Sequence, residues 1–174
     1  MMIIEKTAIV TGGGKRVGAG IVAALVADGW RVVAHVHDGA DSVPDGAIKV
    51  VADLAAVDCA ETIFAAVEGP VGLLVNNAAR FAWDGFGEAS AHEFDSHMAV
   101  NARAPMLLID ALATRHVAGS SALVVNILDA KLAAPCGPEG SISAGAIPLT
   151  LIRLPASARA ASSVSPAAAY LDKV

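Results

Sequence analysis

Cysteine is scarce in this chain, and its scarcity excludes two common ways of stabilising or using a small domain. The 174 residues contain only Cys59 and Cys136. Two cysteines are too few for a disulfide framework, and neither stands at a spacing typical of metal ligands. We therefore expect ordinary thiols and no metal site.

Long apolar runs and basic clusters are also missing. Although 55% of the residues are hydrophobic, no uninterrupted apolar run approaches the roughly 18 residues that a membrane-spanning helix needs. The opening MMIIEKTAIV contains Glu5 and Lys6 and no small-residue cleavage site, which predicts a first strand rather than a signal peptide. The net charge is −5, and no basic cluster is longer than Lys15-Arg16, which argues against a nucleic-acid surface. We expect a soluble, cytoplasmic chain with one domain core and not more than two domains, binding neither membrane nor nucleic acid.

The segment TAIVTGGGKRVG, residues 7–18, predicts a nucleotide-binding turn. An apolar β-branched run leads into Thr11, three glycines follow, and an amphipathic pattern begins at Val17. This is the order of a strand, a tight turn and a helix. Glycines let the backbone approach a ligand closely, and the free N–H groups at a helix start favour a phosphate. Such turns also occur as plain connections, so this alternative stays open for the segment taken alone.

Strand-like and helix-like segments alternate along the chain after this turn. Strands are predicted at Arg31 to His37, Ala47 to Ala52, Val71 to Val75 and Ser121 to Leu128, with a loop at 38–46 and helical patterns near 60–67 and at 91–116. The alternation predicts an α/β fold with a Rossmann-like, doubly wound parallel sheet and ligands at the carboxyl ends of the strands.

The end of the second strand bears on the choice of nucleotide. An acid there favours NAD, whereas a base favours the 2′-phosphate of NADP. Asp38 alone would indicate NAD, but Lys15 and Arg16 can neutralise a phosphate, and an Asp in a glycine-rich loop is more often a turn residue. His35 and His37 share one face of the strand, and we interpret His35 as an ordinary polar residue at a strand end. We favour NADPH and do not exclude NADH.

The pattern Thr-Gly-x-x-x-Arg-x-Gly over residues 11–18 resembles the short-chain dehydrogenase/reductase family, and Arg16 resembles its pteridine-reductase-like branch, whose members use NADPH. The segment Asn76-Asn77-Ala78-Ala79 is similar to the Asn-Asn-Ala-Gly motif of the family, with Ala79 in place of Gly. The cofactor-binding residues that these motifs and the resemblance imply are Thr11, Gly12, Gly14, Lys15, Arg16, Val17, Gly18, His37, Asp53, Leu54, Asn77, Ala78 and Ala79.

The resemblance also implies roles for three polar residues. Asp53 corresponds to an acid that contacts the adenine amino group, although a helix N-cap is an equal alternative. Asn101 matches a helical Asn that holds a water in the proton path, whereas an Asn within a helix otherwise points to solvent. Asp129 stands where most members have a catalytic Ser, and the pteridine-reductase-like branch has Asp there, as a general acid for the pterin ring. A cap or loop role for Asp129 is the alternative. Asn101 and Asp129 are therefore the catalytic candidates, acting on a small-molecule substrate.

The sequence departs from the family where catalysis should be completed. The family uses Tyr-x-x-x-Lys, one helical turn apart, but here Ile142 and Ala146 stand at the expected positions, and the only tyrosine is Tyr170. Between residues 141 and 169 the only charges are Arg153 and Arg159. The resemblance therefore covers residues 3–135.

These departures divide the chain into an NAD(P)-binding domain, residues 1–135, and a divergent tail, residues 136–174. We hypothesise that the reading frame is disturbed after about Pro135 or that the chain is a degenerate, shortened copy. A sheet truncated at its C-terminal side would expose an unpaired edge. Members of the family are usually homo-oligomers, which is doubtful for this chain. The sequence leaves three functions open: a reductase, a non-catalytic NADP(H)-binding module, and a product that does not fold stably.

Overall fold

A computed structural model describes residues 3–82, 87, 90–128 and 149–154. Its seven strands are β1 (Ile3–Ile4), β2 (Thr7–Val10), β3 (Arg31–Val36), β4 (Ile48–Val51), β5 (Leu73–Asn76), β6 (Ser120–Ile127) and β7 (Leu149–Leu154). Its four α-helices are α1 (Arg16–Ala27), α2 (Cys59–Ala65), α3 (Ala91–Met98) and α4 (Ala104–Thr114). A π-helical segment, Ala99–Arg103, joins α3 to α4. No helix in these ranges is long and apolar enough to cross a membrane.

The strands form one sheet in the order β1-β6-β5-β2-β3-β4, with β7 added on β6. All pairs are parallel except β6 with β7. The chain moves from β2 outward through β3 and β4, and then returns to the other side of β2 with β5. This reversal is the topological switch point at which doubly wound sheets bind ligands. The predicted Rossmann-like α/β fold is confirmed.

The core lies on both faces of the sheet, as the alternation of side chains along each strand requires. On one face, Ile9 and Leu74 pack with α2 and α4, where Ile63 and Leu108 are fully buried. On the other face, the fully buried Val22 of α1 belongs to a second cluster with the inner strands. The central strands are apolar on both sides, which is typical of a parallel sheet covered by helices.

The opening run MMIIEKTAIV is not the single first strand that the sequence predicts. Ile3–Ile4 pairs with Ser120–Ser121 of β6, whereas Thr7–Val10 lies at the centre between β3 and β5. The chain crosses between these positions at the charged pair Glu5-Lys6. A Cβ on Gly72 would lie 2.0 Å from the Glu5 carbonyl oxygen, so the crossing is packed against the start of β5. The strand is interrupted at these two residues, where the backbone changes partner.

The other predicted elements are confirmed with small shifts of their ends. The stretch 91–116 is helical only to Thr114 and contains the π-helical segment. The loop at 38–46 contains no helix or strand. Strand β5 begins at Leu73, two residues after the predicted start at Val71.

A truncated sheet is expected to expose an unpaired edge, but β6 is not that edge. Strand β7 pairs antiparallel with β6 from Ala122↔Leu154 to Ile127↔Leu149. This strand lies inside the segment that the sequence assigns to the divergent tail. Its alternation of leucine, isoleucine and threonine suits a strand. The composition of the tail as a whole does not reveal this strand. The proposed domain boundary at residue 135 lies outside the described residues and stays a prediction.

Candidate functional site

The turn after β2 depends on glycine at two positions. Gly12 has φ of +66°, a region that side chains rarely adopt. Gly18 lies in the first turn of α1, and a Cβ there would be 2.0 Å from the Gly12 carbonyl oxygen. The start of α1 can therefore lie directly against the turn only because both residues lack a side chain. The N–H groups of the first helical turn have no intrahelical partner and can face a ligand.

The end of β5 holds one side of this turn. The hydroxyl oxygen of Thr11 accepts hydrogen bonds from the backbone N–H groups of Asn77 and Ala78, each at 3.0 Å. The Asn77 amide nitrogen donates to the carbonyl oxygens of Thr11 at 2.9 Å and Gly12 at 3.2 Å. Thr11 is buried, so its contribution is to join the two strand ends. The Asn77 side chain thus joins the end of β5 to the turn.

His35 holds the other side of the turn. Its Nδ1 accepts a hydrogen bond from the Gly12 N–H at 3.2 Å, and its Nε2 lies 3.0 Å from the Ala52 carbonyl oxygen. The side chain is almost completely buried, and this burial lowers the pKa of the imidazole. His35 is therefore a polar residue near the end of β3, as the sequence indicates, but its ring is buried and bonded on both sides. Its period-2 register with Val33, a core residue, is the sequence signal that places it inside.

A cavity of about 780 Å³ opens between the turn and the ends of β3, β4 and β5. All of the predicted cofactor residues except the buried Thr11 line it: Gly12, Gly14, Lys15, Arg16, Val17, Gly18, His37, Asp53, Leu54, Asn77, Ala78 and Ala79. Sequence reasoning missed His35, Val36, Asp41, Ala55, Arg80, Ser96 and Val100, which also line it. Several of these come from loops and from α3, whose approach to the sheet no local pattern reveals.

The two cations of the turn differ in their surroundings. The Lys15 ammonium lies 2.6 Å from an Asp41 carboxylate oxygen, and that carboxylate is mostly buried. Arg16 is exposed, and within the described part of the chain no ion pair involves it. Arg16 has φ of +49°, a strained conformation for a residue with a Cβ. Strain of this kind is characteristic of functional sites.

Loop 38–46 packs against the turn and completes this wall. A Cβ on Gly14 would lie 2.8 Å from the Ser42 carbonyl oxygen, so the loop needs a glycine there. The Lys49 ammonium donates to the Asp41 carbonyl oxygen at 2.8 Å. Asp38 does not line the cavity, and its carboxylate accepts the Ala40 N–H at 2.9 Å. Asp38 is thus a turn residue, in agreement with the prediction.

Asp53 lies on the cavity wall and does not cap a helix. Its Oδ1 accepts the Ala55 N–H at 2.8 Å, and the next helix, α2, begins only at Cys59. The N-cap alternative is therefore excluded. The His37 Nδ1 lies 3.9 Å from the same carboxylate, and both side chains are largely exposed. A polar edge of two titratable groups is thus available to a ligand.

Asn101 lies in the π-helical segment and holds the loop after β5. Its Oδ1 accepts the Arg80 N–H at 2.8 Å, and its Nδ2 donates to the Arg80 carbonyl oxygen at 2.9 Å. Asn101 does not line the cavity. Asn101 is exposed, as an Asn within a helix is expected to be, but both ends of its amide are bonded to protein. Turns of π-helix are frequent at functional sites.

Arg80 extends the wall toward α3. Its guanidinium lies 2.9 Å from Glu93, whose carboxyl pKa is lowered chiefly by this hydrogen bond. Ser90 caps α3 by accepting the Glu93 N–H at 3.1 Å. The wall is therefore anchored at both the backbone and the side chain of Arg80.

Two asparagines meet at the ends of β5 and β6, next to the predicted catalytic region. The Asn76 Nδ2 donates to the Asn126 Oδ1 at 2.8 Å, and the buried Asn76 Oδ1 has no partner in the described structure. The chain that leads to Asp129 leaves β6 immediately after this pair. Asp129 itself lies outside the described residues, so its predicted role stays a prediction.

The chain is similar to known proteins over most of its length. The model of the short chain dehydrogenase family matches residues 6–131. L-xylulose reductase of Bos taurus is 37% identical over 134 residues, which cover 73% of this chain and 54% of that protein. Carbonyl reductase [NADPH] 2 of Sus scrofa is 33% identical over 149 residues, covering 78% of this chain and 61% of that protein. The chain thus spans little more than half the length of these relatives.

A solved structure shows the same fold with a ligand bound. FolM alternative dihydrofolate reductase 1 from Brucella suis, in complex with NADP, matches with a TM-score of 0.62 and 29% identity. The match covers 72% of this chain and 58% of that one.

Proposed function

The chain belongs to the short chain dehydrogenase family, and on that premise we propose that it binds NADP(H) in the cavity at the carboxyl ends of β2 to β5. One observation carries this proposal. The turn formed by Thr11 to Gly18 is held by Asn77 on one side and His35 on the other, against a cavity of about 780 Å³. A turn of this design presents helix N–H groups to a phosphate.

The charges of the cavity support NADP(H) over NAD(H). Arg16 is exposed beside the cavity, whereas the acid of Asp38 is turned into its own loop. A guanidinium can bind the 2′-phosphate through a bidentate contact. Lys15 contributes less because Asp41 already neutralises it. The NADP in the Brucella suis structure agrees with this preference, and NADH binds more weakly in this account.

The reaction that this site would serve is reduction by hydride transfer from NADPH to a small molecule. The named relatives include reductases of a sugar and of carbonyl compounds, and the similar solved structure is named for dihydrofolate, which contains a pterin ring. Arg16 and Asp129 resemble the pteridine-reductase-like branch, which favours a pterin-like C=N bond over a simple carbonyl. In that reaction Asp129 would supply the proton, directly or through a water.

A second candidate is a non-catalytic NADP(H)-binding module. The observation that favours it is the sequence Ile142…Ala146 where the family has Tyr and Lys, since neither side chain can transfer a proton. The nucleotide-binding residues do not depend on that pair. Binding without turnover is therefore chemically consistent with this chain.

One experiment separates the two candidates. The purified chain is titrated with NADPH while the fluorescence of the reduced nicotinamide is followed, and NADPH oxidation is then measured with a dihydropteridine and with L-xylulose. A reductase binds NADPH and oxidises it with one of the substrates, and D129N then lowers the rate by about 10²-fold or more without weakening binding. A binding module saturates with NADPH and oxidises none. Absence of saturation contradicts both candidates.

A further inference from the structure

His35 joins the glycine turn to two strands at once. Its carbonyl oxygen accepts the Gly13 N–H at 2.8 Å, and its Nδ1 accepts the Gly12 N–H at 3.2 Å. On the other side of the ring, Nε2 is 3.0 Å from the Ala52 carbonyl oxygen. The side chain is 2% exposed, so water does not replace these bonds easily. A single residue thus holds successive N–H groups of the turn and the end of β4.

The surroundings of the ring determine its protonation. An N–H group faces Nδ1 and a carbonyl oxygen faces Nε2, so the matching form is the neutral imidazole with its proton on Nε2. Burial lowers the pKa and favours the same form. The hydrogen bond with the Ala52 carbonyl oxygen acts against burial and favours protonation. The charged groups acting on the ring are His37, which follows β3 and opposes protonation, and Asp53, which follows β4 and favours it. Gly12 and Gly13 bring no titratable group.

The two bonds connect two walls of the cavity. Gly12 belongs to the turn that would hold the phosphates, and its carbonyl oxygen is already bound by Asn77. Ala52 directly precedes Asp53 and Leu54, which form the wall that would hold the adenine. The imidazole therefore sets the distance between these two walls, although it is itself too buried to contact the nucleotide extensively.

We infer that His35 is a positioning residue for the dinucleotide: its neutral ring holds the glycine turn against the end of β4, and protonation of the ring weakens nucleotide binding. Protonation would place a hydrogen on Nδ1, where it would face the hydrogen of the Gly12 N–H. Two donors cannot bond to each other, so the turn would have to move. This inference rests on the proposed NADP(H) site.

The test compares variants that keep one bond with a variant that keeps neither. In H35N the amide oxygen can accept from Gly12, and in H35Q the amide nitrogen can donate to Ala52, whereas H35L can do neither. NADP⁺ affinity is measured by calorimetry at about pH 8 and about pH 5, on either side of the ordinary histidine pKa. H116N is the matched control, because His116 is a half-buried histidine at the opposite end of the sheet.

The wild-type chain is expected to lose about tenfold in affinity between about pH 8 and about pH 5, and H116N should do the same. At about pH 8, H35L should bind about tenfold more weakly than wild type. H35N should bind almost as tightly as wild type at this pH. Its affinity should not show the pH dependence that the ring of His35 causes. Equal affinities of wild type, H35N, H35Q and H35L, with one shared pH profile, would overturn the inference.

Two further measurements keep these outcomes separable. Failure of the wild-type chain to bind NADP⁺ at about pH 8 overturns the proposed function itself, whereas binding that is indifferent to His35 overturns only the positioning role. If H35L does not fold, the affinity of H37N for NAD⁺ is measured at the same two pH values instead. NAD⁺ lacks the titrating 2′-phosphate and H37N lacks the second histidine, so an acid-induced loss supports His35 and its absence contradicts it.

Discussion

The two halves of the sheet edge are built differently. One half, here called the nucleotide side, consists of the turn after β2 and the ends of β3, β4 and β5 around the cavity. In it, the ends of β2, β3 and β5 are joined by hydrogen bonds through Thr11, His35 and Asn77. On the side next to the chain that leads to Asp129, the Asn76–Asn126 pair leaves a buried amide oxygen without a partner in the described structure. Ile142 and Ala146 stand where the resemblance predicts Tyr and Lys. Since the first side does not depend on the second, nucleotide binding would not require the residues that are expected to act in catalysis.

The largest expected effect is that of a methyl group at Gly18 on the nucleotide side. In G18A the new Cβ would lie 2.0 Å from the Gly12 carbonyl oxygen, so the turn must move. We expect NADPH binding to weaken by about a hundredfold, equivalent to about 3 kcal/mol, as measured by fluorescence titration. The control is G20A, where a Cβ meets nothing within 4 Å. G20A should bind normally and raise the free energy of unfolding by about 0.5–1 kcal/mol, and equal binding by the two variants would refute the turn's role.

Replacement of Arg16 should separate affinity from stability. In R16G the strained φ of +49° becomes unstrained, so the free energy of unfolding should rise by about 1 kcal/mol. NADP⁺ affinity should fall by about tenfold to a hundredfold because a charge-assisted contact to phosphate is lost. NAD⁺ affinity should change much less, and calorimetry with both nucleotides checks this difference. An equal loss for NAD⁺ and NADP⁺ would show that Arg16 does not read the 2′-phosphate.

Acid should destabilise the nucleotide side through His35. Its pKa is lowered from 6.5 by burial, so the unfolded chain binds the proton more readily than the folded chain. Stability is therefore fully present above about pH 6.5 and falls as the pH drops toward the lowered pKa of the folded state, by up to about 1.4 kcal/mol per pH unit. Urea unfolding between about pH 8 and about pH 5 measures the slope. The dependence of the free energy of unfolding on pH should be weaker in H35N but not in H116N. An unchanged dependence in H35N would show that other groups cause it.

The smallest effect on nucleotide affinity is expected at Asn101, which holds the loop after β5. N101A removes both hydrogen bonds to the Arg80 backbone, but this region is exposed. The free energy of unfolding should fall by about 1 kcal/mol or less, with NADPH affinity within about threefold of wild type, because Asn101 does not line the cavity. A larger loss of affinity than in R16G would reverse the proposed difference between the two sides.

The parts of the molecule that local patterns govern could be predicted from the sequence. The glycines and the periodic apolar residues around Thr11 to Gly18 specify strand, turn and helix, and the alternation of segments specifies the parallel sheet. The exchange of partners at Glu5-Lys6 and the pairing of β7 with β6 could not be predicted, because strand pairing is decided by contacts distant in sequence.

The same division holds within the candidate site. Residues in the motifs, such as Asn77, were predicted to lie at the cavity and do lie there. His35 and Arg80 were missed because their importance arises from what they contact across the fold: Gly12 and Ala52 for one, Asn101 and Glu93 for the other. The neutralisation of Lys15 by Asp41 likewise required the position of loop 38–46.

Titration of the intact chain with NADPH, followed through the fluorescence of the bound reduced nicotinamide with G18A as the reference, tests the central claim most directly. We predict saturable binding by the wild-type chain at about pH 8 that G18A reduces by about a hundredfold, whether or not NADPH is oxidised with any substrate. A linear, unsaturated signal from a chain shown to be folded by its cooperative unfolding would contradict the claim that this turn is a nucleotide-binding site.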